Sequence, residues 1–300
     1  MRRITHTAKS WVQRRVGGIS CRALCTGLSI FTGVILVVMA VWFLTPLPTS
    51  VARHVWERYH AAELALALDR SDADLAFTLG TYFFGNQSLI GTTGERPYDL
   101  PLAERAFRKA LVINPSFPLA HYMLARIEFV HADFNTALKD LNAELVLNPA
   151  FMRTFYMRGL TYAYRDFPGD LPLAEADFRI IIRWAPEAWA GYNDLAFVLA
   201  KEGKYEDAAD VLKTGIASAD GGAANPWLWN TLGTMRLNLG EPSLALASFL
   251  KAQVLAESLS AVDWQRAYPG NDPGLAAGGL VAMRNGIARN IAAAREALDK

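Results

Sequence analysis

The chain has 300 residues, a formal net charge of +1 and 52% hydrophobic residues. A near-neutral balance, with no basic face or aromatic-basic motif outside the N-terminal tail, argues against nucleic acid as a partner. Both cysteines, Cys21 and Cys25, precede Leu28, so the rest of the chain can hold neither a disulfide nor a cysteine-ligated zinc.

Residues 1–22 carry Arg2, Arg3, Lys9, Arg14, Arg15 and Arg22 and no acidic residue. Residues 23–44 then run without a charge through Ile30, Phe31, Val34 to Val38, Val41, Trp42 and Phe43. At ~1.5 Å per residue this stretch crosses a ~30 Å hydrocarbon core, which predicts one transmembrane helix. The basic flank assigns residues 1–22 to the cytoplasm and everything after Pro46 to the far side. The expected location is a bacterial inner membrane, single-pass, with the soluble part in the periplasm. Two other readings stay open. Ser50-Val51-Ala52 is an acceptable cleavage site for a secretory signal, and the Arg-rich, acid-free start resembles a mitochondrial presequence. Cys25, Ser29 and Gly33 recur every fourth residue on one face of the predicted membrane helix. Small residues so spaced admit a partner transmembrane helix, although they are also common in such helices generally.

Thr45-Pro-Leu-Pro-Thr-Ser is a stiff spacer. Within 45–72, Val51 to Leu68 reads as one helix with Val55, Tyr59, Ala62 and Leu66 on a stripe, an N-terminal cap for the residues beyond it. Ser71 with Asp74 has the form of a capping box.

From residue 73 a ladder recurs. Leu79-Gly80 is followed by Ala103, Phe107, Ala110 and Pro115. Leu124-Ala125 is followed by Ala137, Leu141 and Pro149, and Gly159 and Tyr162 by Ala174, Phe178 and Pro186. Leu195-Ala196 precedes Ala208 and Leu212; Trp229 and Leu232-Gly233 precede Ala245, Phe249 and Ala252. In three copies the step from the small residue to the next Ala is 12 residues. The hexapeptide Asp-Leu-Pro-Leu-Ala-Glu occurs at both 99–104 and 170–175. The small residues let helix axes approach while Leu, Phe and Trp fill the space alongside. Departures occur at Glu144, Ile181 and Gly215, which stand where an alanine is usual.

This ladder resembles the tetratricopeptide repeat (TPR) family over roughly Asp74 to Glu257. The resemblance implies an all-α fold: a right-handed α-solenoid of about five TPR helix pairs over 73–257 with terminal capping helices, here preceded by one transmembrane helix. Gly85 to Asp99 is too long for a repeat turn, and such a loop is either a binding element or a tolerated insertion. Within 258–300, Trp264 to Pro273 reads as irregular. Leu275 to Leu298 reads as a capping helix with Leu280, Met283, Ile287 and Ile291 inward and Arg284, Arg289 and Arg295 outward.

No H-E-x-x-H, G-x-S-x-G, P-loop or dinucleotide fingerprint is present, so no catalytic site, metal, cofactor or small-molecule substrate is expected. His121 stands in a slot that Tyr192 and Trp229 fill elsewhere and reads as a packing residue. The resemblance implies a concave groove lined by the first helix of each pair, suited to a peptide segment or a helix of another protein. In the family's register the lining is Phe77, Thr81, Phe84, Tyr122, Arg126, Phe129, Arg153, Tyr156, Asn193, Phe197, Trp227 and Asn230. The competing reading of each ring is that it fills a gap between repeats. The family's carboxylate clamp of Lys and Asn is not apparent. The expectation is a membrane-anchored, non-enzymatic scaffold that binds other envelope proteins as an assembly or adaptor factor. The alternative is a constitutive subunit of a membrane complex, held by its transmembrane helix and its convex or loop surfaces.

Overall fold

A computed structural model describes residues 49–85, 98–267 and 276–300. The expected membrane segment, with Cys25, Ser29 and Gly33, lies outside the described residues, and so does most of the loop 85–99. Among the described residues no helix is long and apolar enough to cross a membrane. The chain divides after Asp72 into two compact units.

In the first unit, α1 (Thr49–Tyr59) and α2 (Ala62–Leu68) pack on each other. The single helix expected over 51–68 is broken at His60, whose φ of 50° is left-handed and cannot continue a right-handed helix. Arg53 grips Asp72 with Nε and Nη2 at 2.9 and 2.6 Å. The turn after α2 is held by Asp69, which accepts from the backbone N–H groups of Ser71 and Asp72 at 3.2 and 3.0 Å. An aspartate turn thus stands in place of the capping box expected from Ser71.

The second unit is built from helix pairs in sequence order. They are α3 (Ala73–Phe83) with α4 (Leu100–Ile113), α5 (Ala120–Val130) with α6 (Phe134–Leu147), and α7 (Met152–Arg165) with α8 (Asp170–Trp184). Next come α9 (Trp189–Lys201) with α10 (Tyr205–Ser218) and α11 (Pro226–Asn238) with α12 (Pro242–Glu257). This is the all-α, solenoid-like arrangement that the ladder predicts. Caps start several of the helices: Asp99 accepts from Leu102 N–H at 2.9 Å, Asp133 from Thr136 N–H at 3.2 Å, and Asn225 from Trp227 and Leu228 N–H. The turns inside the second, fourth and fifth pairs each place one residue at positive φ, namely Ala132 (58°), Gly203 (77°) and Gly240 (74°). The two copies of the duplicated hexapeptide behave differently. Asp99 caps α4, whereas Asp170 is buried at the start of α8 and takes a bidentate grip from Arg165 at 2.8 and 2.6 Å.

The contact inside each pair is a matter of size. A Cβ built on Gly80 would lie 2.6 Å from the Phe107 ring, and one on Gly233 2.5 Å from the Phe249 ring. On Gly159 it would meet Phe178 at 3.1 Å. The other two pairs place Ala125 and Ala196 at this position and the smaller Leu141 and Leu212 on the partner helix, all buried. A large partner therefore requires Gly and a smaller one admits Ala, as close packing demands.

The three departures from the ladder also have reasons. Glu144 is fully buried and accepts from Leu119 N–H at 3.0 Å and Tyr122 N–H at 3.3 Å, with Asn148 donating as well. It caps α5 from the neighbouring helix, where Leu119 is left-handed and offers no side-chain cap. Gly215 lets Tyr192 approach so closely that a Cβ there would be 2.7 Å from the tyrosine Cβ. Ile181 fills its site as a buried apolar group.

The stack closes with α13 (Ala261–Ala267) and α14 (Ala276–Leu298). The short helix α13, in a stretch expected to be irregular, is started by a reciprocal cap between Ser260 and Asp263. From α14, Ile287, Ile291 and Ala294 join Phe249, Ala252 and Ala256 of α12 in one buried cluster. Arg284 does not simply point outward: its guanidinium donates to the carbonyls of Ala256, Glu257 and Leu259 at 3.0 to 3.1 Å. It satisfies the last turn of α12, where carbonyls lack helical partners and the dipole favours a cation.

Candidate protein-binding groove

Successive first helices touch one another (α5 with α7, α7 with α9, α9 with α11) in addition to packing on their own partners. They therefore form the inner wall of the stack. The sequence-predicted lining residues all lie on these helices or on α3, or at the ends of these helices, but they differ in what they do.

At the N-terminal end the rings are largely packed inward. Phe77 sits between Phe107 and Phe117, with centroids at 5.4 and 5.1 Å. Thr81 is buried and donates to Thr78 O at 2.7 Å. Phe84 is buried beneath the Arg126 guanidinium, 4.4 Å from its centroid, and Tyr122 is buried edge-on against Phe151. Burial lowers the pKa of Arg126 and raises that of Tyr122. The Tyr122 hydroxyl makes no hydrogen bond among the described residues. Arg153 is exposed.

In the middle a polar ladder ties three first helices together. Tyr156 of α7 donates its hydroxyl to Asp194 Oδ2 of α9 at 2.6 Å, Asn193 donates to Asp194 Oδ1 at 3.2 Å, and Thr231 of α11 donates to Asn193 Oδ1 at 2.8 Å. Tyr156, Asn193 and Asp194 are all buried, and burial pushes the Asp194 carboxyl up to about 6 despite the hydrogen bonds it accepts. Trp227 stacks on Trp189 at 5.1 Å, and Asn230 accepts from Asn290 of α14 at 3.0 Å. Asn230 is thus partly occupied by the terminal helix, which the repeat register alone does not disclose.

Two rings of the groove are exposed, and the half-buried Phe129 joins them in a row. Tyr164, 56% exposed, meets Phe129 edge-on at 5.5 Å and stacks on Phe197, itself 39% exposed, at 6.0 Å. Each ring comes from a different first helix. Lys201 beside them donates to Ala163 O at 2.8 Å and pairs with Asp166 at 3.0 Å. Tyr164 and Asp194 do not belong to the predicted set. Tyr164 lies one position beyond the last lining position of its helix, where Ala163 stands, and Asp194 lies one position past Asn193, the nearest predicted residue.

A separate cluster joins α4, α5 and α6. Arg108 reaches Glu128 at 3.4 Å and Glu104 at 2.8 Å, and His121 Nδ1 lies 2.6 Å from Asp140. His121 is thus a polar partner of Asp140 and not simply a packing residue. Burial, then the facing Asp140, pushes the Glu128 carboxyl well above the ordinary range. In the third pair Arg158 and Asp177 form the equivalent cross-helix link, bidentate at 2.9 and 2.8 Å. Among the described residues no group of three or more His, Cys, Asp or Glu converges as a metal site would require.

No protein-family model matches the sequence. Protein FlbA of Caulobacter vibrioides is 29% identical over 177 residues, 59% of this chain but 28% of that protein, so the match spans little more than a quarter of it. A TPR protein of Thermus thermophilus superposes with a TM-score of 0.51 at 20% identity, covering 73% of this chain and 99% of that one. PilW, described as a widely conserved type IV pilus biogenesis factor, superposes with a TM-score of 0.51 at 18% identity, covering 70% of this chain and 90% of its own. At such identities the likeness concerns the fold, and the fold of this chain is TPR-like.

Proposed function

We propose that the chain is a membrane-anchored scaffold whose inner wall binds other envelope proteins during assembly of a membrane or periplasmic complex. The observation that carries this reading is the partly exposed ring row on α5, α7 and α9, since aromatic side chains bury large area at little rotamer cost and recur in binding hot spots. The uncharged run 23–44 behind a basic tail supports an inner-membrane anchor with the repeats in the periplasm. PilW, a biogenesis factor of similar fold, is consistent with an assembly role and supports the fold alone.

A second reading, a constitutive subunit held by the outer surface, is favoured by Val112 and Val146, each 82% exposed at the same register of α4 and α6. Site-specific photocrosslinking in cells separates the two. A crosslinker replacing Phe197 should trap a protein while one replacing Val146 does not; the reverse pattern would replace the adaptor by the subunit. Protease added to intact spheroplasts should digest the repeats, and their protection would remove the periplasmic assignment.

A further inference from the structure

We infer that the row Phe129, Tyr164, Phe197 takes an uncharged, extended segment of another protein, rich in proline and aliphatic or aromatic side chains, and not an acidic tail. This inference rests on the groove reading above and specifies its occupant.

The three rings are contributed by three successive first helices. With successive centroids 5.5 and 6.0 Å apart, the outer rings of the row lie no more than about 12 Å apart, the reach of three to four extended residues at ~3.3 Å each. A ligand crossing it lies across the helix axes, so an extended backbone meets all three rings. The rings already lean on one another, so little side-chain entropy remains to be lost on binding. Exposed apolar surface held in this way is unfavourable in water unless something covers it.

Charge decides what covers it. The cation at the row, Lys201, is satisfied by Asp166 and by the Ala163 carbonyl. Asp194, the other acid near the row, is buried and already accepts from Tyr156 and Asn193. Arg153 is eleven residues from Tyr164 on the same helix, about 16 Å away at ~1.5 Å per residue. The row therefore presents flat rings and a tyrosine hydroxyl, with its local charges already matched. Such a surface suits proline and apolar side chains packed on aromatic faces, with the Tyr164 hydroxyl available to a peptide carbonyl. A charged segment would lose hydration there with no opposite charge to meet.

The test uses the purified full chain and fluorescein-labelled synthetic peptides of about twelve residues: one neutral with Pro, Leu and Tyr, and two in which Glu or Lys replaces half the positions. Binding is followed by fluorescence anisotropy at about 50 and about 500 mM NaCl. The neutral peptide should bind most tightly, and salt should change its Kd less than about threefold. Tyr164→Ser and Phe197→Ser should each weaken it by about tenfold or more without lowering the melting temperature, while Val146→Ser leaves it unchanged. Preference for a charged peptide, indifference to both ring substitutions, or no binding of any peptide overturns the inference. So does a concentration-dependent dimer that Phe197→Ser abolishes, which would make a second copy the occupant. If the crosslinker at Phe197 still traps a protein in cells while the peptides behave in one of these ways, the groove reading survives and only the occupant is wrong. Loss of both sinks both.

Discussion

The first, third and fifth helix pairs meet through Gly against Phe, whereas the second and fourth carry Ala with Leu. Gly80 and Gly233 leave their rings no room for a methyl group, Gly159 leaves little, and Ala125 and Ala196 stand in the same place beside smaller partners. One backbone arrangement is thus reached by two exchanges of volume. The helix pair specifies the sum of two residues more strictly than either residue alone.

The largest expected effect comes from breaking the sum. Gly233→Ala should improve helix propensity by ~1 kcal/mol yet lower stability overall by about 1–3 kcal/mol, because Phe249 has nowhere to move. Urea unfolding monitored by circular dichroism measures it, and a net gain in stability would refute the volume argument. Gly159→Ala should cost less, since Phe178 stands farther off at 3.1 Å.

Adding Phe249→Leu to Gly233→Ala converts the fifth pair to the solution used by the second and fourth. The double variant should recover part of the loss, with a coupling energy on the order of 1 kcal/mol in a double-mutant cycle. Strict additivity would mean that the two kinds of pair do not share one arrangement.

The polar ladder between pairs should respond to pH where the Gly–Phe and Ala–Leu contacts within pairs do not. Asp194 is held above its ordinary carboxylate range, at about 6, by burial. The protonated form is the one the fold favours, so its contribution is complete below the unfolded pKa of ~3.9 and is lost as pH rises through 6. Thermal unfolding of the wild type should show stability falling across that window, and Asp194→Asn should flatten the slope. An unchanged slope in the variant would place the titration elsewhere, with Glu128 the next group to replace.

The smallest effect concerns the turns. Ala132 adopts the positive φ that Gly203 and Gly240 supply in the fourth and fifth pairs. Ala132→Gly should stabilise by about 0.5–1 kcal/mol, because relief of the left-handed strain outweighs the added freedom of the unfolded chain. A loss of stability would show that this turn tolerates alanine without strain.

The helix pairs were legible because their small and large residues recur at fixed steps, and a step of 12 residues leaves room for little besides two antiparallel helices. The inner-wall residues were legible as a set but not one by one. Whether Tyr122 points to a ligand or under Phe151 depends on a residue of the following pair, and Asn230 meets Asn290 sixty positions away. Tyr164 escaped because the repeat register stops one residue short of it. Glu144 looked like a flaw in the ladder, since its use as a cap depends on the left-handed Leu119 on another helix. The break at His60 left no comparable trace in an otherwise helix-like stretch.

The guanidinium of Arg284 and the apolar face of α14 together cover the side of α12 on which another pair would stack. A repeat array grows by presenting each finished face to the next unit, and here that face is spent. While α14 stays in place no further pair can stack on α12 in this way, and baring that face requires peeling α14 away. Removing the Arg284 side chain is the least intrusive means of loosening that stopper.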